Sequence, residues 1–110
     1  MYYNLSILEK FKLKFKDKGR SWVNRCIARL NDVTKTSDPN VWFVKGKSKF
    51  GDYYEIYKVT FIKSAGKYVC TCYSISKMYG LIRMRNICTH VGSVILWRML
   101  KGDLIEESKT

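Results

Sequence analysis

The first apolar pattern along the chain covers residues 5–15 and admits two interpretations. Apolar side chains recur there at three- and four-residue intervals, at Leu5, Leu8, Phe11 and Phe15. The same stretch shows Phe11, Leu13 and Phe15 alternating with lysines, which is the period of a strand. The helical interpretation is favoured, and an N-terminal helix is predicted here.

A second helical pattern follows a break at Gly19. Ser21 is the predicted N-cap, because its hydroxyl can accept a hydrogen bond from a free backbone N–H, and the helix is expected to run to about Val33. Its apolar face is formed by Trp22, Val23, Cys26, Ile27, Leu30 and Val33. Cys26 lies within this face, which predicts a small buried hydrophobic residue and not a metal ligand or nucleophile.

The middle of the chain carries β-rich runs separated by turn residues. Residues 34–40 contain Asp38-Pro39 and predict a loop, and Gly46 and Gly51 predict a hairpin turn or a bulge. The predicted strands are residues 41–44, 53–62 and 68–72. This order predicts a three-stranded antiparallel sheet.

The last apolar pattern follows Cys88 and is broad enough for a largely buried helix ending near Gly102. Its apolar residues are Val91, Val94, Ile95, Leu96, Trp97, Met99 and Leu100. No fold is assigned to residues 73–87. With 110 residues, one proline and no linker-like segment, the chain is predicted to be a single α+β domain, residues 1–110, with an N-terminal helical part at 1–40.

The charge balance adds a prediction about the partner. The chain has 21 Lys and Arg against 9 Asp and Glu, a formal net charge of +12. Neutralised phosphates release condensed counterions, so nucleic acid is the predicted partner, with DNA expected over RNA. The alternative is a charge that serves only solubility or assembly. The candidate contacts are Lys10, Lys12, Lys14, Lys16, Lys18, Arg25, Arg29, Lys45, Lys47, Lys49, Lys77, Arg83 and Arg85.

One motif carries chemistry: C-x-C, fifteen residues and C-x-H, formed by Cys70, Cys72, Cys88 and His90. The chain has four cysteines and one histidine, and four of these five residues fall in the motif. Cys70 and Cys72 are poorly placed for a disulfide, because residues two apart on one predicted strand point to the same face. Three thiolates and one imidazole form a closed tetrahedral set that suits one structural Zn²⁺ better than iron or an iron–sulfur cluster. The alternative is three buried cysteines and an ordinary histidine.

This motif resembles the signature of the SWIM zinc finger, a β-hairpin followed by a helix. Upstream, the run Val41-Trp42-Phe43-Val44-Lys45-Gly46 resembles the strand entry of archaeal SWIM proteins. Downstream, Cys88-Thr89-His90-Val91 resembles the start of the family's helix. The resemblance covers about residues 41–101 and implies that Cys70, Cys72, Cys88 and His90 are the metal ligands. The chain departs from many members in having Tyr73-Ser74-Ile75, and not Pro-Asp-aromatic, after the second cysteine.

Two function classes follow from the charge and the resemblance. The first is nucleic-acid binding, in which Tyr53, Tyr54, Tyr73 and Tyr79 could stack on unpaired bases, although packing explains most aromatic residues. The second, implied by the resemblance, is an adaptor that docks on a larger protein such as a RecA-family recombinase paralogue, through residues 73–87 or the N-terminal segment. An enzyme is not predicted, because the only histidine belongs to the motif and no carboxylate pair stands out. No long apolar stretch or signal peptide is present, so the expected location is intracellular and away from the membrane.

Overall fold

The computed structural model describes residues 2–74 and 87–102, and this part of the chain is an α+β fold. Its helices are α1 (Tyr2–Lys14), α2 (Arg20–Ala28) and α3 (Thr89–Lys101). Its strands are β1 (Val33–Lys35), β2 (Val41–Lys45), β3 (Ile56–Ile62) and β4 (Lys67–Cys70). The strands pair antiparallel in the order β1-β2-β3-β4. The α+β class is confirmed, but the sheet has four strands where three were predicted.

The N-terminal stretch is helical, as its favoured period predicted. Phe11 and Phe15 are buried and pack on Trp22 of α2, with ring centroids 5.9 and 5.0 Å from the Trp22 ring. Leu13, which the strand interpretation grouped with the two phenylalanines, is 70% exposed. The helical period therefore groups the two buried phenylalanines correctly and leaves out the exposed Leu13, while Leu8 of the same predicted face is half-buried. Within the described part of the chain, no helix combines the length and apolarity needed to cross a bilayer.

The predicted second helix is shorter than its apolar pattern. Gly19, and not Ser21, is the N-cap of α2, and the helix ends at Ala28 before a 3-10 turn at Leu30–Asp32. Val33, predicted as the last helical residue, is instead buried in β1 opposite Val44 of β2. β1 is the strand that the prediction missed. Cross-strand pairing outweighs the helical spacing here, because β-branched residues such as Val33 pack well in a sheet and lose side-chain freedom in a helix.

Two predicted strands are shorter than the β-rich runs suggested. β3 begins at Ile56 because the Tyr57 hydroxyl accepts the backbone N–H groups of Tyr53 and Tyr54, at 2.7 and 3.0 Å, which holds these two residues out of the ladder. β4 ends at Cys70, and Thr71–Ser74 form a 3-10 turn. Cys72 therefore lies after the strand, contrary to the prediction.

The core lies between one face of the sheet and the helices. Trp42 and Val44 of β2 and Tyr57 and Val59 of β3 are buried, and α3 lies against all four strands. The predicted C-terminal helix is confirmed: α3 ends at Lys101, and its C-cap Gly102 takes the left-handed conformation with φ 74°. Its buried apolar residues are Val91, Val94, Ile95 and Leu96. The opposite face of the sheet carries no helix among the described residues.

Helices α2 and α3 approach closely at Gly92. A Cβ atom built on Gly92 would lie 2.5 Å from Cys26 Sγ and 2.8 Å from the Trp22 ring, so no larger residue fits without a shift. Cys26 is completely buried in this contact, as predicted. Burial raises the pKa of the Cys26 thiol to about 12, which keeps it neutral. The contact places the C-terminal end of α2 beside the first turn of α3.

Candidate metal centre

The four residues of the C-x-C and C-x-H motif meet where β4 ends and α3 begins. Cys70 is the last residue of β4, and Cys72 lies in the turn that follows it. Cys88 is the N-cap of α3, and His90 lies in the first turn of that helix. All four residues are buried, and their potential ligand atoms lie within 4.8 Å of one another. The cluster could therefore hold a single metal ion.

The turn after β4 brings the first two sulfur atoms together, although they do not share a strand. In this 3-10 turn the backbone N–H of Cys72 donates to Cys70 Sγ at 3.5 Å, so the chain curls around the first sulfur. A hydrogen bond donated to sulfur favours the thiolate, which is the form that binds a metal. The turn thus brings the sulfur atoms of Cys70 and Cys72 together, as a shared strand was expected to do. It also adds a hydrogen-bond donor to Cys70 Sγ.

The chain enters α3 through a residue in an unfavourable backbone conformation. Ile87 has φ 57°, in the left-handed region that a β-branched residue rarely adopts. Its carbonyl oxygen accepts a hydrogen bond from Trp22 Nε1 at 3.1 Å, which ties it to α2. Strain of this kind persists only where the surroundings enforce it, and it is typical of functional sites. Here it immediately precedes Cys88.

The three thiols of the motif influence one another's ionisation. Hydrogen bonds with Cys72 and Cys88, together with burial, raise the pKa of the Cys70 thiol above its usual range. Burial also opposes ionisation of Cys88, but the thiols of Cys70 and Cys72 and the adjacent His90 imidazole hold the pKa of Cys88 well below its usual range. A divalent cation would stabilise the thiolate forms, since metal binding releases protons from its ligands.

His90 has one ring nitrogen available as a ligand. Its Nε2 lies 3.0 Å from Asp52 Oδ1, whereas its Nδ1 is buried and has no hydrogen-bond partner among the described residues. The ring stacks on Tyr57, with centroids 3.9 Å apart. Buried polar atoms in native proteins almost always have a partner, and one without a partner calls for an explanation. A metal ion bound at Nδ1 would supply it, so the residues present fit a bound metal.

A buried ion pair lies behind His90. Arg29 donates from Nη1 and Nη2 to the two carboxylate oxygens of Asp52, at 2.6 and 3.0 Å, and from Nε to Thr89 Oγ1 at 3.0 Å. Only 1% of Arg29 is exposed, and each of its three guanidinium nitrogens has a partner. The prediction that Arg29 contacts phosphate is therefore wrong, because its charge is buried and neutralised within the fold.

Asp52 is the residue of this site that the sequence patterns missed. Burial opposes its ionisation, but the Arg29 donors, the backbone N–H of Lys47 and the His90 ring outweigh burial and lower the pKa of Asp52 below its usual value. Asp52 lies in the connection between β2 and β3, directly after Gly51, which has φ 81°. A single acid after a turn glycine carries no metal-site spacing, so no signal in the sequence alone could have found it.

Some of the predicted phosphate-contacting residues meet at the junction of α1 and α2. A recess of about 380 Å³ there is lined by Lys12, Phe15, Lys16, Lys18, Gly19, Arg20, Val23 and Asn24. Four of these residues are cationic and none is acidic. Arg20 was not among the predicted contacts. Lys10 and Lys14 do not line the recess, since successive lysines two residues apart point to different sides of a helix.

A second group of predicted basic residues surrounds Phe50. The charged groups of Arg25, Lys47 and Lys49 lie 6.0, 5.7 and 5.5 Å from the centre of its ring. Lys47 also forms an ion pair with Asp32 at 3.1 Å. Both basic groups border α2, which contributes Arg20 to the recess and Arg25 to the Phe50 group.

The remaining predicted contacts do not join these groups among the described residues. Lys45 is exposed on β2 and alternates with the buried Trp42 and Val44, so it points away from the helices. Tyr53 is 79% exposed and packs edge-on against Tyr54, with centroids 5.1 Å apart. The side chain of Tyr73 and the residues Lys77, Tyr79, Arg83 and Arg85 lie outside the described part of the chain.

The chain matches no protein-family model, no curated protein and no solved structure. The resemblance to SWIM zinc fingers therefore stays a prediction that rests on the motif. The candidate metal centre rests on the convergence of its four side chains.

Proposed function

We propose that this chain is a zinc-binding domain that binds nucleic acid, with DNA as the expected form. The observation that carries the metal half of the proposal is the buried Cys₃His cluster with its ligand atoms within 4.8 Å. Thiolates and a neutral imidazole are the donors that Zn²⁺ prefers in closed tetrahedral sites. Four protein ligands leave no position for a substrate, so the ion would be structural and would join β4 to α3.

The observation that supports nucleic-acid binding is the recess between α1 and α2. It gathers Lys12, Lys16, Lys18 and Arg20, and no carboxylate of the described residues belongs to its lining. The first turn of α2 begins there, with an N-cap that has no side-chain hydrogen bond and no acidic residue. Free backbone N–H groups and the helix dipole favour an anion at such a position, and the surrounding cations add to the same field. A backbone phosphate fits this combination.

A salt series tests this proposal. Fluorescence anisotropy of zinc-loaded protein with labelled single- and double-stranded DNA gives the slope of log K against log salt concentration. The double variant Lys12→Ala, Lys16→Ala is expected to reduce that slope by about 1.8, because each phosphate contact contributes roughly 0.9. The matched control is Lys58→Ala, Lys67→Ala, which removes the same charge from exposed strand residues. Equal losses in both variants would mean that the recess is not the binding surface.

The adaptor hypothesis has one observation in its favour. Phe43 and Ile56 are 41% and 59% exposed at alternate positions to the buried residues of β2 and β3, on the face away from the helices. Exposed apolar side chains on one face can mark a protein contact. Weak and salt-insensitive DNA binding, together with a stoichiometric complex with a RecA-family recombinase paralogue, would favour this alternative.

A further inference from the structure

We propose that Asp52 and Arg29 are positioning residues of the metal centre. Asp52 holds the His90 ring with its proton on Nε2, so that Nδ1 faces the ion, and Arg29 holds Asp52 in place. This inference rests on the proposed metal site and adds residues outside the ligand motif. It also makes the C-cap of α2, which contributes no ligand, part of the centre.

The hydrogen bonds of Asp52 determine which nitrogen of His90 carries the proton. The two carboxylate oxygens of Asp52 already receive two N–H groups from Arg29 and one from the backbone of Lys47, at 2.6, 3.0 and 2.7 Å. Oδ1 already accepts an N–H group from Arg29 and acts as an acceptor towards His90 as well. His90 Nε2, at 3.0 Å from Oδ1, must therefore be the donor. The neutral imidazole then has its lone pair on Nδ1. That nitrogen is the buried one for which the described part of the chain, residues 2–74 and 87–102, offers no hydrogen-bond partner.

Tyr57 and Asp52 restrain the His90 ring in different ways. The Tyr57 ring stacks on His90 with 20° between the two planes, and its hydroxyl is held by the N–H groups of Tyr53 and Tyr54. Stacking fixes the plane of the imidazole but does not distinguish its two nitrogens. Asp52 makes that distinction, because it offers an acceptor on one side of the ring only. Partners of this kind fix the tautomer and the orientation of metal-bound histidines.

Arg29 connects Asp52 to the helix that carries His90. Its Nη atoms bind Asp52, and its Nε binds Thr89 Oγ1, the residue before His90. The guanidinium thus sets the spacing between the β2–β3 connection and the first turn of α3. A lysine at this position would bring one point charge without the planar fork, so it could not make both contacts with the same geometry.

The protonation of His90 can be measured directly in the unmodified protein. The chain has one histidine, so long-range ¹H–¹⁵N spectra of zinc-loaded protein contain a single imidazole pattern. We expect a protonated Nε2 and a metal-bound Nδ1. Protonation at Nδ1 with the metal at Nε2 would overturn the inference, and this result needs no variant that could misfold.

Variants test the positioning role by zinc competition against a chelator. Asp52→Ala is expected to weaken zinc binding about 10- to 100-fold and to remove the restrained Nε2 proton signal. Asp52→Asn, which keeps an oxygen acceptor, should lose less, and Arg29→Lys should resemble Asp52→Ala in direction. Asp17→Ala is the control, since Asp17 is an exposed acid outside the centre.

Two outcomes separate this inference from the proposed function. A wild-type protein that takes up no stoichiometric zinc would refute the metal site and the positioning role together. Stoichiometric zinc in the wild type, with equal zinc affinity in Asp52→Ala and Asp17→Ala, would leave the metal site standing and refute the positioning role alone.

Discussion

The contact between α2 and α3 makes Gly92→Ala a sharp test of the packing that supports the metal centre. An alanine Cβ at this position would lie 2.5 Å from Cys26 Sγ and 2.8 and 2.9 Å from two atoms of the Trp22 ring. Neither neighbour can move easily. Cys26 is fully buried, and Trp22 is held by its hydrogen bond to Ile87 and by stacking on Phe11.

The expected size of the effect follows from two opposing contributions. Overpacking a tightly packed contact costs about 1–3 kcal/mol. Replacing glycine by alanine inside a helix returns about 1 kcal/mol, because alanine loses less backbone entropy. Since three atoms of two immobile side chains are too close, we place the cost in the upper part of its range. The net loss in free energy of unfolding is then about 1–2 kcal/mol, and each kcal/mol lowers Tm by about 4–8 °C in a domain of about this size.

Urea unfolding in saturating zinc, followed by circular dichroism, measures this loss. The matched control is Gly19→Ala, because no atom lies within 4 Å of a Cβ there and the backbone has φ −76°. Gly19→Ala should change stability by less than about 1 kcal/mol, because the poorer N-cap preference of alanine and the lower entropy of its unfolded chain oppose each other. A Gly92→Ala protein as stable as the wild type, or more stable, would show that α2 and α3 do not pack as closely as described.

Two further predictions concern the cysteines. Cys88→Ser, or chelation of the wild type, should remove cooperative unfolding of the C-terminal half. The reason is that structural zinc contributes about 10–16 kcal/mol in zinc-finger peptides, whereas whole domains are stable by only about 5–15 kcal/mol. An unchanged thermal melt in Cys88→Ser would contradict this. The buried Cys26 thiol, whose pKa is raised from 9.0 to about 12, stays protonated in the folded protein while the unfolded chain loses this proton. Its contribution to stability is therefore complete below pH 9 and declines as pH rises towards 12. The free energy of unfolding of the wild type should accordingly fall more steeply than that of Cys26→Ala above pH 9, and parallel curves would refute the shift.

Much of the fold could be predicted because local patterns and tertiary structure agree. The helical period of residues 5–15 placed Phe11 of α1 and Phe15, just after α1, on the buried side, and the apolar run after Cys88 predicted α3 and its end near Gly102. Each pattern describes one element that buries one face, and the spacing of apolar residues in the sequence shows that face. The four candidate ligands were also predictable, because cysteine and histidine are rare here and fall in a short motif.

The errors that bear on the sheet and on the site occurred where another element supplies a residue's partner. Val33 continued a helical stripe, yet it pairs with Val44 in the strand that the prediction missed. Arg29 was counted among surface cations, and Asp52 was not considered at all, yet the two form a buried pair beside His90. Neither position differs in the sequence from an ordinary surface residue.

Composition and spacing by themselves determined the α+β class, the main helices, the basic charge and the four residues that could hold a metal ion. Only the tertiary structure decided that β1 completes the sheet, that Cys72 joins the cluster from a turn, and that Arg29 binds Asp52 behind His90. The physical reason is that periodicity reports which face of an element is apolar. The neutralisation of a buried charge depends on which distant groups folding brings within hydrogen-bond distance.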